Sequence, residues 1–131
     1  MLMKNVEGSA EKIMNAVGMK NGIIPGFELF GNRVLVGVYT RSAVTKSGIH
    51  LPDQTLREDE HQGKAAIVLM KGPTAFVSDS NFDFCGQTLE VGDWVMSFVS
   101  VGIKCVVNGQ LCRIVRDQDI TMRIPQPDQV Y

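Results

Sequence analysis

Histidine, cysteine and tryptophan are scarce in this chain, at two, three and one residues. The cysteines, Cys85, Cys105 and Cys112, form no C-x-x-C pair. Their odd number fits a reducing compartment better than a disulfide scaffold. His50 and His61 share one stretch without a close second ligand, so spacing supports no metal site. An excess of one charge is also missing: 13 basic and 14 acidic residues leave a net charge of −1. Nucleic-acid binding rests on phosphate neutralisation by a basic face. Arg113, Arg116 and Arg123 lie near one end of the chain, but Asp117 and Asp119 accompany them. No apolar run approaches the length of a membrane span. Glu7 and Glu11 break any secretory or transit pattern around Lys4. Nucleophile-elbow, P-loop and dinucleotide fingerprints are all absent. Asp117 and Asp119, two apart at a turn, read as a solvated bend rather than an acid–base pair. The expectation is a cytoplasmic protein that is not an enzyme, with no cofactor, nucleic acid or membrane.

What is present is a long polar stretch, Arg41 to Gln62, between two strand-like runs, Arg33 to Tyr39 and Lys64 to Met70. A connection of that length exceeds the usual one several-fold, and such loops are commonly functional. Within it lies Thr45-Lys46-Ser47-Gly48-Ile49-His50-Leu51-Pro52. Ile49 and Leu51 are two apart, so an extended backbone points both to one side, as docking segments do.

The remaining chain reads as all-β. Val34, Leu35, Val36 and Val38 make a first strand, in which Gly37 marks a bulge or a close approach. Trp94 to Phe98, Ile103 to Val107 and Gln110 to Val115 follow. Asn108-Gly109 between the last two is a strong hairpin signal. Ile120, Met122 and Ile124 alternate in a closing strand. Six or seven short strands joined by turns predict a small barrel, because closure removes unpaired edges. Cys105 and Cys112 flank the Asn-Gly turn and face one another across it, as small core fillers. Thr74 to Thr88 reads as a hairpin insertion turning near Asp79 to Asn81, with Phe76, Phe82 and Phe84 among polar residues.

Residues 1–30 differ in character and form an N-terminal arm. Ser9 is placed to cap a short helix through Val17, with Gly18 ending it and Ile13, Met14 and Val17 on one face. Asn21-Gly22 and Pro25-Gly26 mark turns, with Phe27 and Phe30 as anchors of the arm. The arm is either an ordinary cap or a docking element for a neighbouring subunit. Residues 125–131 form a proline-containing tail.

Asn32-Arg33-Val34-Leu35-Val36, the Thr45–Pro52 segment, Gln62–Val68, Val91-Gly92-Asp93-Trp94-Val95, Gly102-Ile103-Lys104 and Asp117-Gln118-Asp119-Ile120 occur in one order. In that order and spacing they resemble the co-chaperonin (GroES) family, over roughly residues 31–124. The resemblance implies an irregular β-barrel with a mobile loop at 41–62 and a roof hairpin at 74–88. It also implies seven-membered rings that lid the chamber of an ATP-dependent chaperonin. Gly48, Ile49, His50, Leu51 and Pro52 would make the partner contact, with Phe76, Phe82 and Phe84 in the roof. Val34, Val36, Ile120, Met122 and Ile124 would lie near the strands through which subunits pair. The chain departs from the family in His50, which stands where an apolar residue is usual. Pointing away from the pocket that holds Ile49 and Leu51, it would cost little; buried there, its protonation would oppose docking. The long arm and the aromatic roof are departures too. The chain looks more like the family's divergent bacteriophage forms, which would place it in a host cytoplasm. The alternative is a structural subunit of a virus particle on the same barrel, with arm and loop docking neighbouring subunits. A small-barrel enzyme or binding domain would need a convergent polar pocket.

Replacing both Ile49 and Leu51 with Ser is expected to abolish partner binding while leaving fold and assembly intact. Co-migration with the partner on native gels checks this; unchanged binding removes the anchor role.

Overall fold

The computed structural model describes residues 4–39, 65–97 and 101–127, with side chains from residue 10 onward. Six antiparallel strands build one sheet: β1 (Arg33–Val38), β2 (Ala65–Lys71), β3 (Trp94–Ser97), β4 (Ile103–Val107), β5 (Gln110–Arg116) and β6 (Ile120–Ile124). Their spatial order is β4-β5-β1-β2-β3-β6. Only the 3-10 turn Asp117–Asp119 joins β5 to β6, although three strands stand between them. In a flat sheet the two would be about 19 Å apart. Four Cα steps reach at most about 14 Å even when extended, and a 3-10 turn reaches less. The sheet must therefore roll up, which is the small barrel expected of the sequence.

Rolling gives the sheet an inner and an outer apolar face. Val34, Val36, Ala66, Val68, Val95 and Val115 meet inside, where Ile120 of β6 and Val101 before β4 join them. Leu35, Tyr39, Ala65, Ile67 and Trp94 gather on the opposite face. The alternation follows the two-residue period of a strand. Both faces of β1 and most of β2 are covered, so these strands read as unbroken apolar runs. The bulge lies in β2 rather than at Gly37. The register passes from Leu35↔Met70 to Val36↔Val68 and leaves Leu69 extra.

The outer face is covered by α1 (Lys4–Ala16). Ile13 and Val17 are buried against it, Met14 packs alongside, and Ile24 follows them in. The helix starts earlier than a cap at Ser9 allows, because Gly8 and Ser9 cost a helix interior only about 1 kcal/mol or less each. Its end is as expected. Gly18 takes φ 77, its N–H donates to Asn15 O at 3.1 Å, and the Met19 N–H donates to Met14 O at 3.1 Å. This paired motif satisfies the last carbonyls. Asn21-Gly22 closes a turn in which Lys20 and Ile23 exchange backbone hydrogen bonds of 2.7 and 3.0 Å. Phe27 and Phe30 do not anchor the arm: Phe30 is 72% exposed, and Ile24 with half-buried Leu29 holds the chain instead.

Gly37 is the close approach. A Cβ there would lie 2.5 Å from Ile13 Cγ2 and 3.1 Å from Leu69 Cδ1. The β-branched Ile13 has little rotamer freedom with which to yield. Gly37→Ala is therefore expected to cost about 1–3 kcal/mol in urea unfolding. The same change in an Ile13→Ala background should cost clearly less. Equal costs in both backgrounds would show that the notch is not what holds α1.

Candidate docking site

The expected contact residues Gly48, Ile49, His50, Leu51 and Pro52 lie outside the described residues. The structure does describe the two stems of their segment. Val38 pairs with Ala66 at the end of the β1–β2 ladder, and the Tyr39 N–H donates to Ala65 O at 3.0 Å. Tyr39 and Trp94 are buried here, edge to face, with ring centroids 5.7 Å apart. Beyond the β5 pairing, the Gln110 Nε2 reaches Val38 O at 3.3 Å. Residues 40–64 thus leave and re-enter the barrel at one fixed point between two central strands.

The 74–88 insertion is a folded loop without strand pairing, not a hairpin. Its turn is where the sequence places it. Asp79 Oδ1 accepts from the N–H groups of Asn81 and Phe82 at 2.8 and 2.9 Å, while the Asp79 N–H donates to Phe82 O at 2.9 Å. Ser78 Oγ and Asp83 Oδ1 take the Phe84 and Cys85 amides. These local side-chain acceptors compete with ladder formation. Phe76, Phe82 and Phe84 are brought together, with centroids 5.6 Å apart for Phe76–Phe84 and 4.6 Å for Phe82–Phe84. Between this cluster and β6 runs a groove of about 260 Å³, lined by Phe82, Leu89, Ile120, Met122 and Arg123 among others.

The loop is tied down by Asp117, which is 4% exposed. Asp117 Oδ2 accepts the Phe76 N–H at 3.1 Å and Oδ1 accepts Asn32 Nδ2 at 3.2 Å. Its own N–H donates to Asn32 O at 3.1 Å. Asp119 is buried as well and takes the Arg116 N–H on Oδ2 at 3.0 Å. The expected solvated bend is thus a buried junction between the start of β1, the base of the loop and the β5–β6 turn. No local sequence signal marks it, because the groups that Asp117 accepts from, on Phe76 and Asn32, are 41 and 85 positions away.

The residues expected near subunit contacts divide. Val34 and Val36 are fully buried in the chain's own interior, and β1 is hydrogen-bonded on both sides. Ile124 is buried too. Ile120 is half-buried, and Met122 is 49% exposed on β6. β6 pairs with β3 on one side and ends the strand order. Ile23, Phe27 and Phe30 form a second exposed apolar stretch. Ile13, Met14 and Val17 of the arm are packed on their own sheet.

Arg113 was read as part of a basic cluster, but it is fully buried. Its Nε donates to Val101 O at 3.1 Å and Nη1 to Ser97 Oγ at 3.4 Å. Burial pulls its pKa below the ordinary value, with Asp119 opposing. Its place between Leu111 and Val115 on one strand face was the overlooked signal. Arg116 and Arg123 are ion-paired to Asp119 and Asp93, each at 3.3 Å. Among the described residues no three His, Cys, Asp or Glu side chains converge on a metal-sized site. No described helix is long and apolar enough to cross a membrane. Cys105 and Cys112 are register partners across the β4–β5 hairpin. Cys112 fills the core and Cys105 is half-buried, whereas Cys85 is exposed.

Comparison with known proteins gives two consistent results. A family model described as chaperonin 10 Kd subunit matches residues 27–124. Two proteins described as co-chaperonin GroES, from Caldicellulosiruptor saccharolyticus and Caldicellulosiruptor bescii, are each 31% identical over 90 residues. Those alignments cover 69% of this chain and 87% of each relative. Residues 1–26, including α1, precede the matched span.

Two outcomes follow from this geometry. Asp117→Ala leaves the Phe76 amide and the Asn32 side chain without their acceptor. It should lower stability by about 1–3 kcal/mol and speed proteolysis within residues 76–85. Asp117→Asn, which keeps one acceptor, should do less. Burial, with Cys105 close by, pushes the Cys112 thiol up to about 12, and burial also raises Cys105. Alkylation by iodoacetamide at pH 8 should therefore label Cys85 first, Cys105 slowly and Cys112 last, as read by peptide mass spectrometry.

Proposed function

Because the chain belongs to the chaperonin 10 kDa subunit family, we propose that it is a co-chaperonin. In this reading a ring of subunits docks on an ATP-dependent chaperonin and closes its chamber. The observation that carries the reading is the rooted origin of residues 40–64. Tyr39 and Ala65 are hydrogen-bonded to each other, and the Tyr39–Trp94 pair backs them. A segment launched from such a base presents Ile49 and Leu51 at a reproducible place on every subunit. Gly48 and Pro52 bracket the contact, with His50 between the two apolar anchors. Each apolar side chain contributes roughly 1.5–3 kcal/mol on burial. One loop alone therefore binds weakly. Several on one ring raise the effective concentration of each later contact. Binding is then tight overall and still reversible when the partner changes state.

The Phe76–Phe82–Phe84 loop is the roof element in this reading. The outer edge of β6, with Ile120, Met122 and Ile124 along it, is one half of the ring contact. Exposed Met122 and the groove beside it support that assignment, since an unpaired strand edge readily accepts another strand. The exposed Ile23, Phe27 and Phe30 are a suitable second half. A surface patch that meets a different patch on the next copy closes rings when the rotation permits. Seven subunits is the number that the resemblance implies, in the cytoplasm where the partner would be found.

Native mass of the purified chain, alone and with a chaperonin plus ATP, tests the proposal. A seven-membered ring that enters a larger nucleotide-dependent complex is expected. A different oligomer that ignores the chaperonin overturns the lid reading and favours a particle subunit. Met122→Asp and Phe30→Asp should each reduce the ring to smaller species with the circular dichroism spectrum unchanged. Intact rings in both variants would reject these surfaces as the contact.

A further inference from the structure

The tip of the β4–β5 hairpin touches the end of α1. Asn108 Nδ2 donates to Val17 O at 2.7 Å, across 91 positions of sequence. Val17 is the residue at which the helix ends, so its carbonyl lies at the negative end of the helix dipole. Asn108 and Gly109 hold φ 50 and 88 and form the two-residue turn. A Cβ on Gly18 would sit 3.5 Å from Asn108 Nδ2, so the helix terminus and the turn are in van der Waals contact. The amide of Asn108 is thus both a turn residue and a clasp on an element that the family match does not include.

We propose that Asn108-Gly109 is a deamidation site whose acidic product releases α1. The chemistry requires only water. The main-chain nitrogen of Gly109, unhindered by a side chain, attacks the Asn108 side-chain carbonyl carbon. The bond to Nδ2 breaks, ammonia leaves, and a five-membered succinimide forms. Water adds to one of its two carbonyls, that carbon–nitrogen bond opens, and aspartate or isoaspartate remains at position 108. Nothing is oxidised or reduced. The product carries an oxygen where the donor nitrogen stood, so it cannot donate to Val17 O. Its negative charge also faces the end of a helix that disfavours anions. Isoaspartate lengthens the main chain in a turn that tolerates only two residues. Each change acts against the docked helix, and none can be undone by rebinding. Asn21-Gly22, the other turn of this kind, lies within the arm itself and provides an internal comparison.

The test uses the full-length protein and does not depend on the lid reading. Protein is aged in mildly alkaline buffer, with a urea-unfolded sample in parallel. Trypsin then releases residues 105–113 and 21–33 as separate peptides for mass spectrometry. Conversion at Asn108 in the folded protein is expected, accompanied by about ten-fold faster hydrogen exchange of the α1 amides in the converted fraction. Asn108→Asp should reproduce the faster exchange. Asn108→Gly, which keeps the turn and removes the donor without adding a charge, should give a smaller increase. Conversion confined to the unfolded sample overturns the site. Unchanged α1 exchange in both variants and in aged protein overturns the clasp.

Discussion

The connection Asp117–Asp119 is the constraint on which the rest of this molecule depends. It is too short to join the second and sixth strands of a flat sheet, so it obliges the sheet to roll. Once rolled, the sheet has an inside, and Val34, Val36, Val68, Val95 and Val115 fill it. The same short link buries two carboxylates, which would be costly without partners. Asp117 finds them in Asn32 and the Phe76 amide. A single turn therefore obliges the sheet to curve and fixes the base of the aromatic loop. Arg113 provides a similar tie elsewhere in the interior, where a charged side chain holds Val101 and Ser97.

Much of this was legible in the residues. Strand positions followed from β-branched runs bounded by turn signals, and Asn108-Gly109 located its hairpin to the residue. Gly18 ended the helix for the reason glycine usually does. Gly37 was identified as a bulge or a close approach; it is the second, and Ile13 is what approaches. What stayed hidden was what depends on partners distant in sequence. Asp117 looks solvated until Asn32 and Phe76 are placed against it, and Arg113 looks basic until the strand turns it inward. The start of α1 was missed because Gly8 and Ser9 read as a boundary, whereas a helix interior carries both at small cost. Paired strands were expected at 74–88, but Ser78, Asp79 and Asp83 supply the hydrogen bonds that a ladder would have made.

The candidate site was legible in a different way. Ile49 and Leu51 stand out by spacing and by resemblance; they lie outside the described residues, and the fold describes the stems of their segment at Tyr39 and Ala65. The residues expected near subunit contacts divided, because apolar alternation does not say which side of a strand faces solvent. Val34 and Val36 went to the interior, while Met122 stayed at the surface. The exposed Phe27 and Phe30 could be told from arm anchors only once Ile24 was seen to be buried and Leu29 half-buried.

The Tyr39–Trp94 pair also has an optical consequence. Trp94 is the sole tryptophan of the chain, and it sits buried at the root of residues 40–64 with a tyrosine ring set edge-on against it. Indole emission depends on the polarity and rigidity of its surroundings. The protein therefore carries its own fluorophore beside the root of its proposed contact segment, where a change in the packing of the Tyr39–Trp94 pair would alter the emission.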